Sequence, residues 1–215
     1  MKIEIGREFP DYFQPAYPEE FELFSHLETA SAIPQALFAI TTWKDNGLPN
    51  VCFHAWSCFY GDKTAFFAVL GGLYQHTHTY RNLQKRRGFC LNFLPLSAYD
   101  RLVETIHKNG DDTDEFAAGG FSPERARTVD APYIAESFLV LECSFLEARD
   151  LSGAGVNALV TGRVERVLVE ESYAAGREKR CGKEGFMLLV PGAQNLLTGE
   201  PTQSAIATLK VERLD

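Results

Sequence analysis

The sequence predicts a mainly β protein: an antiparallel barrel or sandwich with helices packed on its outside. Three observations carry this. Apolar runs of strand length are punctuated by tight-turn signals, Asp45-Asn46-Gly47 and Gly61-Asp62-Lys63. Two long alternating runs, Phe138 to Arg149 and Ala158 to Val169, are joined by the glycine-containing stretch Asp150 to Asn157, as in a long hairpin. Hydrophobic residues make up 45% of the 215, with 16 phenylalanines, which supplies a core and favours packed sheet faces.

Taken in order, residues 1–20 carry charges, aromatics and three prolines (Pro10, Pro15, Pro18), and an extended arm is expected there. Glu19 to Ala32 reads as one short helix that Pro34 ends. Leu37 to Trp43, Val51 to Trp56 and Thr64 to Leu70 read as three strands of a meander, with Phe59-Tyr60 extending the second after a break and Gly71-Gly72 closing the third. Thr77 or Thr79 can cap a helix that places Tyr80 and Leu83 on one face, and Gly88 is placed to stop it. Phe89 to Phe93 then alternates like a half-buried strand. Tyr99 to Lys108 sets Leu102, Val103 and Ile106 at helical spacing, ended by Asn109-Gly110. Asp111 to Asp130 is acidic and reads as a surface excursion with short helical pieces. Gly182 to Gly199 is less regular, and Ala205 to Val211 is a last strand. No repeat or linker interrupts the chain, so residues 1–215 read as one domain.

Composition excludes several functions. A net charge of −8 argues against nucleic acid and against an anionic membrane as main partners. The five cysteines are odd in number and form no C-x-x-C pair, which fits free thiols in a reducing compartment. No apolar run approaches the length of a membrane span, and the charged start is unlike a signal peptide. The expected location is cytoplasmic.

The chemistry concentrates at His76-Thr77-His78-Thr79-Tyr80-Arg81-Asn82. A helix start offers free backbone N–H groups and a positive dipole end. With threonine hydroxyls, two histidines, Arg81 and the Asn82 amide added, the place suits an anion, above all a phosphate. The competing reading is an ordinary capped amphipathic helix. His76-x-His78 lacks a third metal ligand at suitable spacing. Ser57 reads either as a phosphate contact through hydroxyl and N–H or as a strand-break serine. Trp56 reads as a flat-ligand contact or as a core or interface aromatic. Cys58 reads as a backbone contributor, having no base beside it. Arg81 either neutralises phosphate or is solvated. Gly71-Gly72 reads as a turn, and His54 and His107 as structural histidines. No catalytic triad, carboxylate pair or P-loop is present.

An ordered set of segments resembles the flavin reductase-like family. Asn46-Gly47-Leu48-Pro49-Asn50 followed by Ala55-Trp56-Ser57-Cys58-Phe59 is similar to the family's turn and N…SWF segment. His78-Thr79-Tyr80-Arg81-Asn82-Leu83 is similar to its T-x-R-N-[IL] segment, and Phe89-Cys90-Leu91-Asn92-Phe93 to its F-x-[LV]-N strand. Asp114-Glu115-Phe116, Ala131-Pro132, Ile134 to Ser137 and Leu141-Glu142-Cys143 are similar to its later segments. Gly182-Lys183-Glu184-Gly185-Phe186 and Thr198-Gly199-Glu200 resemble the flavoredoxin branch.

The resemblance implies an antiparallel FMN-binding split β-barrel and a homodimer. It implies that Trp56-Ser57-Cys58 and His78-Thr79 to Asn82, with Arg81, hold the FMN phosphate, and that Asn50, Ala55 and Phe59 line the flavin. It implies electrons from NAD(P)H or from a redox partner protein, and no catalytic side chain, because the flavin carries the chemistry. Three readings follow: a reductase passing electrons from NAD(P)H through FMN to free flavin or another acceptor, a flavoredoxin-type carrier, or a barrel that has lost its cofactor. Two departures bear on them. Thr77-His78 stands where many members have Lys-Asp, so His78 takes the cationic role only when protonated. Asn157 stands near the place of a histidine in many members, which leans towards the carrier.

Overall fold

A computed structural model describes residues 1–212; the last three residues of the expected 1–215 domain lie outside the described residues. The chain is mainly β and 19% helical. In order, the elements are α1 (Glu20–Leu23), α2 (His26–Ser31), β1 (Gln35–Trp43), β2 (Pro49–His54), β3 (Ser57–Gly61), β4 (Phe66–Tyr74), α3 (His78–Arg86), β5 (Gly88–Phe93), α4 (Tyr99–His107), α5 (Glu115–Gly119), β6 (Pro123–Arg125), β7 (Pro132–Ile134), β8 (Leu139–Arg149), β9 (Asn157–Val169), α6 (Glu171–Ala174), β10 (Met187–Val190) and β11 (Ala205–Thr208). Two compact units account for them: Met1–Gln35 with Leu188–Ala207, and Ala36–Met187 with the residues from Thr208 on.

In the smaller unit, the helix expected over Glu19 to Ala32 is two. Phe24 is extended (φ −127°, ψ 146°) and stops α1; Ser25 then starts α2 through a capping box with Glu28. Residues of the expected arm fold with the later segment. Phe9, Phe13, Phe21 and His26 form an edge-packed aromatic cluster, the Gln14 N–H donates to Gly199 O, and the Gln194 amide donates to Gln14 O.

The larger unit is an antiparallel sheet in the order β1-β5-β8-β9-β4-β3, with β2 paired to the other edge of β1. It curls into a half-barrel around Phe38, Ile40, Leu70, Leu83, Phe89, Leu91, Phe138 and Val160. The first three strands do not form a meander. β2 pairs with β1 and β3 pairs with β4, but β2 and β3 do not pair. The chain swerves between them at Trp56, whose φ of 50° is left-handed. Nor do Gly71-Gly72 close a strand: β4 runs on to Tyr74 through an irregularity between Leu70 and Leu73. The Gly71 N–H donates to Trp56 O at 2.7 Å, and a Cβ on Gly71 would lie 2.8 Å from that oxygen, so only glycine admits the carbonyl.

Two more expectations give way to packing. Arg87, not Gly88, takes the left-handed position that ends α3, with φ 60°. Its guanidinium lies 4.2 Å from the centre of the Phe145 ring and donates to the carbonyls of Phe145 and Leu146, which anchors the side chain. Gly88 begins β5 where Asp130 N and Val129 Cβ pass 3.0 and 3.1 Å from where a Cβ would be. β5 is buried on both faces, not one. Phe89, Leu91 and Phe93 face the main core. Cys90 meets a second cluster with Ala126, Ala131 and Val140, held there by the 123–134 excursion. Asn92, also buried, is satisfied: its amide donates to Thr41 Oγ1 and its oxygen accepts the Ile134 N–H.

Candidate functional site

The site starts from a helix with two different faces. Thr77 caps α3: its Oγ1 accepts the Tyr80 N–H and donates to Tyr74 O. The spacing then buries Thr79, Asn82 and Leu83 against the sheet and leaves His78, Arg81 and Lys85 on the open side. Thr79 Oγ1 accepts from the Asn50 amide at 2.9 Å, and the Asn82 amide donates to Thr42 Oγ1 at 2.9 Å. These bonds pin α3 onto β1 and β2.

Upstream, the Gln75 amide donates to Asp150 Oδ2 and to Asn157 O. Asp150 in turn gathers the N–H groups of Ser152, Gly153 and Gly155, which hold its carboxyl below its ordinary value. The tip of the β8–β9 hairpin therefore fixes where α3 begins.

Two cavities flank the start of α3. One, of about 470 Å3, lies between β2 (Asn50 to Phe53), His76 to Thr79, the end of α4 (Thr105, Ile106) and Glu115. The other, of about 450 Å3, is bounded by Lys44, Asp45, Asn46, Arg81, Asn82 and Lys85. His78 and Asp111 line both. Each volume is within the usual range for small-molecule sites.

A buried ion pair supports the wall between them. Lys44, 3% exposed, places Nζ 2.8 Å from Glu115 Oε1 and donates to the carbonyls of Gly110 and Thr113. Glu115 Oε2 accepts the Val51 N–H at 2.7 Å. Burial pushes the Glu115 carboxyl above its ordinary value, against the pull of Lys44, the Val51 N–H and His78. His78 Nε2 lies 2.7 Å from Asp111 Oδ1, and its Nδ1 lies 3.9 Å from Glu115 Oε1. Burial pushes the Cys52 thiol up to about 11, so it remains a neutral lining atom; the Thr79 hydroxyl opposes that shift and the Glu115 charge adds to it.

The structure brings Asn50, His78, Thr79, Arg81 and Asn82 to these cavities and places the 55–59 segment elsewhere. None of the residues from Ala55 to Phe59 lines either cavity. Ala55 is buried, and Ser57 turns its hydroxyl to Ala55 O. Cys58 is exposed on β3. Phe59, half-buried, packs against the core with its ring centre 5.7 Å from that of Phe38 and 5.9 Å from that of Phe93. Lys44, Cys52, Phe53, Asp111 and Glu115 join the candidate site, and the sequence does not place them there: Glu115 stands in a segment similar to the family's, and the other four carry no signal. Lys44 meets its carbonyl partners 66 and 69 residues away, and no local pattern signals that pairing.

Residues 30–182 match the flavin reductase like domain. The chain belongs to the flavin reductase-like domain family. The family supports a flavin as the ligand and a flavoprotein oxidoreductase as the kind of protein. No curated protein matches the chain. Among solved structures, it is similar to the flavoredoxin of Desulfovibrio vulgaris (Miyazaki F), at TM-score 0.64 and 19% identity over 84% of this chain and 90% of that one. It is also similar to nitrilotriacetate monooxygenase component B from Bacillus cereus, at 0.71 and 16% over 94% and 98%. A third is an FMN-binding protein from Thermus thermophilus, at 0.62 and 18% over 94% and 99%. At these identities the likeness is one of fold, and that fold is the antiparallel split barrel of flavin reductases. Among the described residues of this flavin reductase-like chain, no helix is long and apolar enough to cross a membrane, and no group of three or more His, Cys, Asp or Glu side chains could hold a metal ion.

Proposed function

We propose that the protein binds FMN at the start of α3 and acts as an oxidoreductase, passing electrons from NAD(P)H to free flavin or another acceptor. The observation that carries this is the pair of adjoining cavities sharing His78 and Asp111 in a flavin reductase-like domain. The lining suits the group. His78, Arg81 and the N–H groups following the Thr77 cap would hold the phosphate. Asn50, Cys52, Phe53 and Ile106 offer a wall of mixed apolar and amide character for a flat ring.

A bound flavin supplies the two-electron chemistry. The residues of this chain bind it, orient it and exclude water; no side chain is assigned a bond-making role. Asn50 and Thr79, bonded to each other, fix the distance between β2 and α3 against which a ring is positioned. Ser57, Trp56 and Cys58 reach this site only if they act from another surface of the protein, for which a second subunit is the proposed source. Tyr60, exposed on β3 with its ring centre 5.6 Å from that of Phe67 on β4, supports a homodimer. A cytoplasmic location is part of the same proposal.

A flavoredoxin-type carrier, reduced by a protein partner, is the second reading. Asn157 favours it: it pairs with Tyr74 at the start of β9, its carbonyl is used by Gln75, and it lines neither cavity. Titration with FMN, followed by its visible spectrum, tests the shared part; no binding at roughly tens of micromolar overturns both readings. Stopped-flow mixing of the loaded protein with NADH and NADPH separates them, because rapid bleaching by either excludes a pure carrier.

A further inference from the structure

Asp111 is the one carboxylate that both cavities share. Its side chain is 83% exposed, yet it does not point freely into solvent: Oδ1 lies 2.7 Å from His78 Nε2 and 3.6 Å from Arg81 Nη2. Those are the imidazole and the guanidinium on the open side of the start of α3. The rest of its loop is held from beneath. The Asn46 amide donates to Asp111 O at 3.1 Å, and Lys44 Nζ donates to Gly110 O and Thr113 O. The backbone is therefore fixed on both sides of a carboxylate whose side chain alone is free to swing.

A carboxylate and a phosphate want the same partners. Both are oxyanions that accept charge-assisted hydrogen bonds from imidazolium and guanidinium. We infer that Asp111 is an internal occupant of the anion subsite formed by His78 and Arg81, so that a phosphorylated ligand must displace it. This rests on the reading above only for the name of that ligand; the competition itself follows from Asp111, His78 and Arg81.

Two consequences follow from the geometry. While Asp111 bridges to His78, the pair divides the space into two cavities; when it swings away, they become one trough past the start of α3. The residue also sets charge specificity. An incoming dianion loses part of its attraction to replacing the Asp111 contacts and meets a like charge nearby, whereas a neutral analogue that reaches only the β2 wall meets neither effect. An exposed ion pair of this kind changes a binding constant by about fivefold when it must be broken.

The test compares the wild-type protein with Asp111→Asn, which keeps size and removes charge. Inorganic phosphate is titrated while the His78 ring is followed by NMR, and FMN and riboflavin are titrated by fluorescence. Removing the carboxylate is expected to tighten inorganic phosphate and FMN by about fivefold and to leave riboflavin unchanged. Adding His78→Gln to Asp111→Asn removes most of the gain. Thermal melts of all variants show that they are folded.

Equal phosphate affinity in wild type and Asp111→Asn overturns the inference, as does a failure of phosphate to perturb His78 in either protein. A gain for riboflavin as large as that for FMN also overturns it, because the loop is then a steric cover and not a competing anion. If phosphate tightens while FMN binds neither protein, the flavin assignment falls and the role of Asp111 stands. If FMN binds both proteins equally and phosphate does too, the flavin assignment stands and the role of Asp111 falls.

Discussion

His54 offers a measurable consequence of burial. It ends β2, lies edge-on to Phe38 with ring centres 5.8 Å apart, and its Nε2 has no hydrogen-bond partner among the described residues. Burial lowers its pKa from 6.5 to about 4, with a hydrogen bond to the Gly71 backbone opposing. The folded protein thus holds the ring neutral where the unfolded chain protonates it. The unfolded state binds more protons between the two values, so stability is complete above about 6.5 and falls as pH drops towards the folded value of about 4. Linkage through those two values gives a loss of about 2 kcal/mol between pH 7.5 and pH 5, reaching about 3 kcal/mol by pH 4. Carboxylates such as Asp150 and Glu165, held below their ordinary values, also lose stability in acid, but at lower pH. The assay is therefore a difference: urea unfolding of wild type and His54→Gln, at pH 7.5 and at pH 5. Wild type should lose about 2 kcal/mol more than the variant over that interval. Equal losses in the two proteins would show that His54 is hydrated or paired, and the account of a dry, neutral ring would be wrong.

Four further outcomes are expected. Gly71→Ala forces a Cβ to 2.8 Å from Trp56 O and should cost about 2 to 3 kcal/mol in chemical denaturation, with the Trp56 fluorescence shifted. Lys44→Met strands the buried Glu115 carboxylate and should cost about 3 kcal/mol or more at neutral pH, while Lys44→Met with Glu115→Leu should recover much of it, as read by thermal melts. Because Glu115 already sits above its ordinary value, its contribution is complete below the unfolded value and lost as pH rises through the folded one. Lys44→Met alone should move that loss to higher pH. Asn92→Ala leaves the Ile134 N–H without its acceptor, while Thr41 keeps its bond to Pro132 O, and should cost about 2 kcal/mol, with hydrogen exchange at Ile134 speeding up.

Elements with their own punctuation were legible in the sequence. The β1–β2 hairpin announces itself through Asp45-Asn46-Gly47, α3 through its threonine cap, and β8–β9 through alternation. Burial on two faces was not legible. β5 reads as half-buried because Cys90 and Asn92 look like solvent positions. They are inside because the 123–134 excursion folds back over them, and Asn92 is tolerated because Thr41 and Ile134 satisfy it. Gly71 and Trp56 show the same limit: the glycine serves a carbonyl fifteen positions earlier, and no window of sequence contains both. At the candidate site, residue types mark the α3 stretch, but Thr79 and Asn82, although they line the cavities, spend their side chains on Asn50 and Thr42, while His78 and Arg81 stand on the open side. The helical phase was readable; which side the sheet would take was not. Lys44 and Glu115 lay beyond reach because their pairing is a product of the finished fold.

The swerve at Trp56 has a wider effect. Since β3 leaves to join β4, one edge of β2 is never zipped to a neighbour. Ladder groups that a sheet would have consumed are instead covered by α3, α4 and α5, and the Val51 N–H finds the Glu115 carboxylate in place of a strand carbonyl. The hollow beside β2 is thus the berth of a missing strand, roofed by helices that cannot fill it. A change that tempted residues 55–59 to pair with β2 would close the berth and remove the cavity beside β2 without altering a residue that lines it.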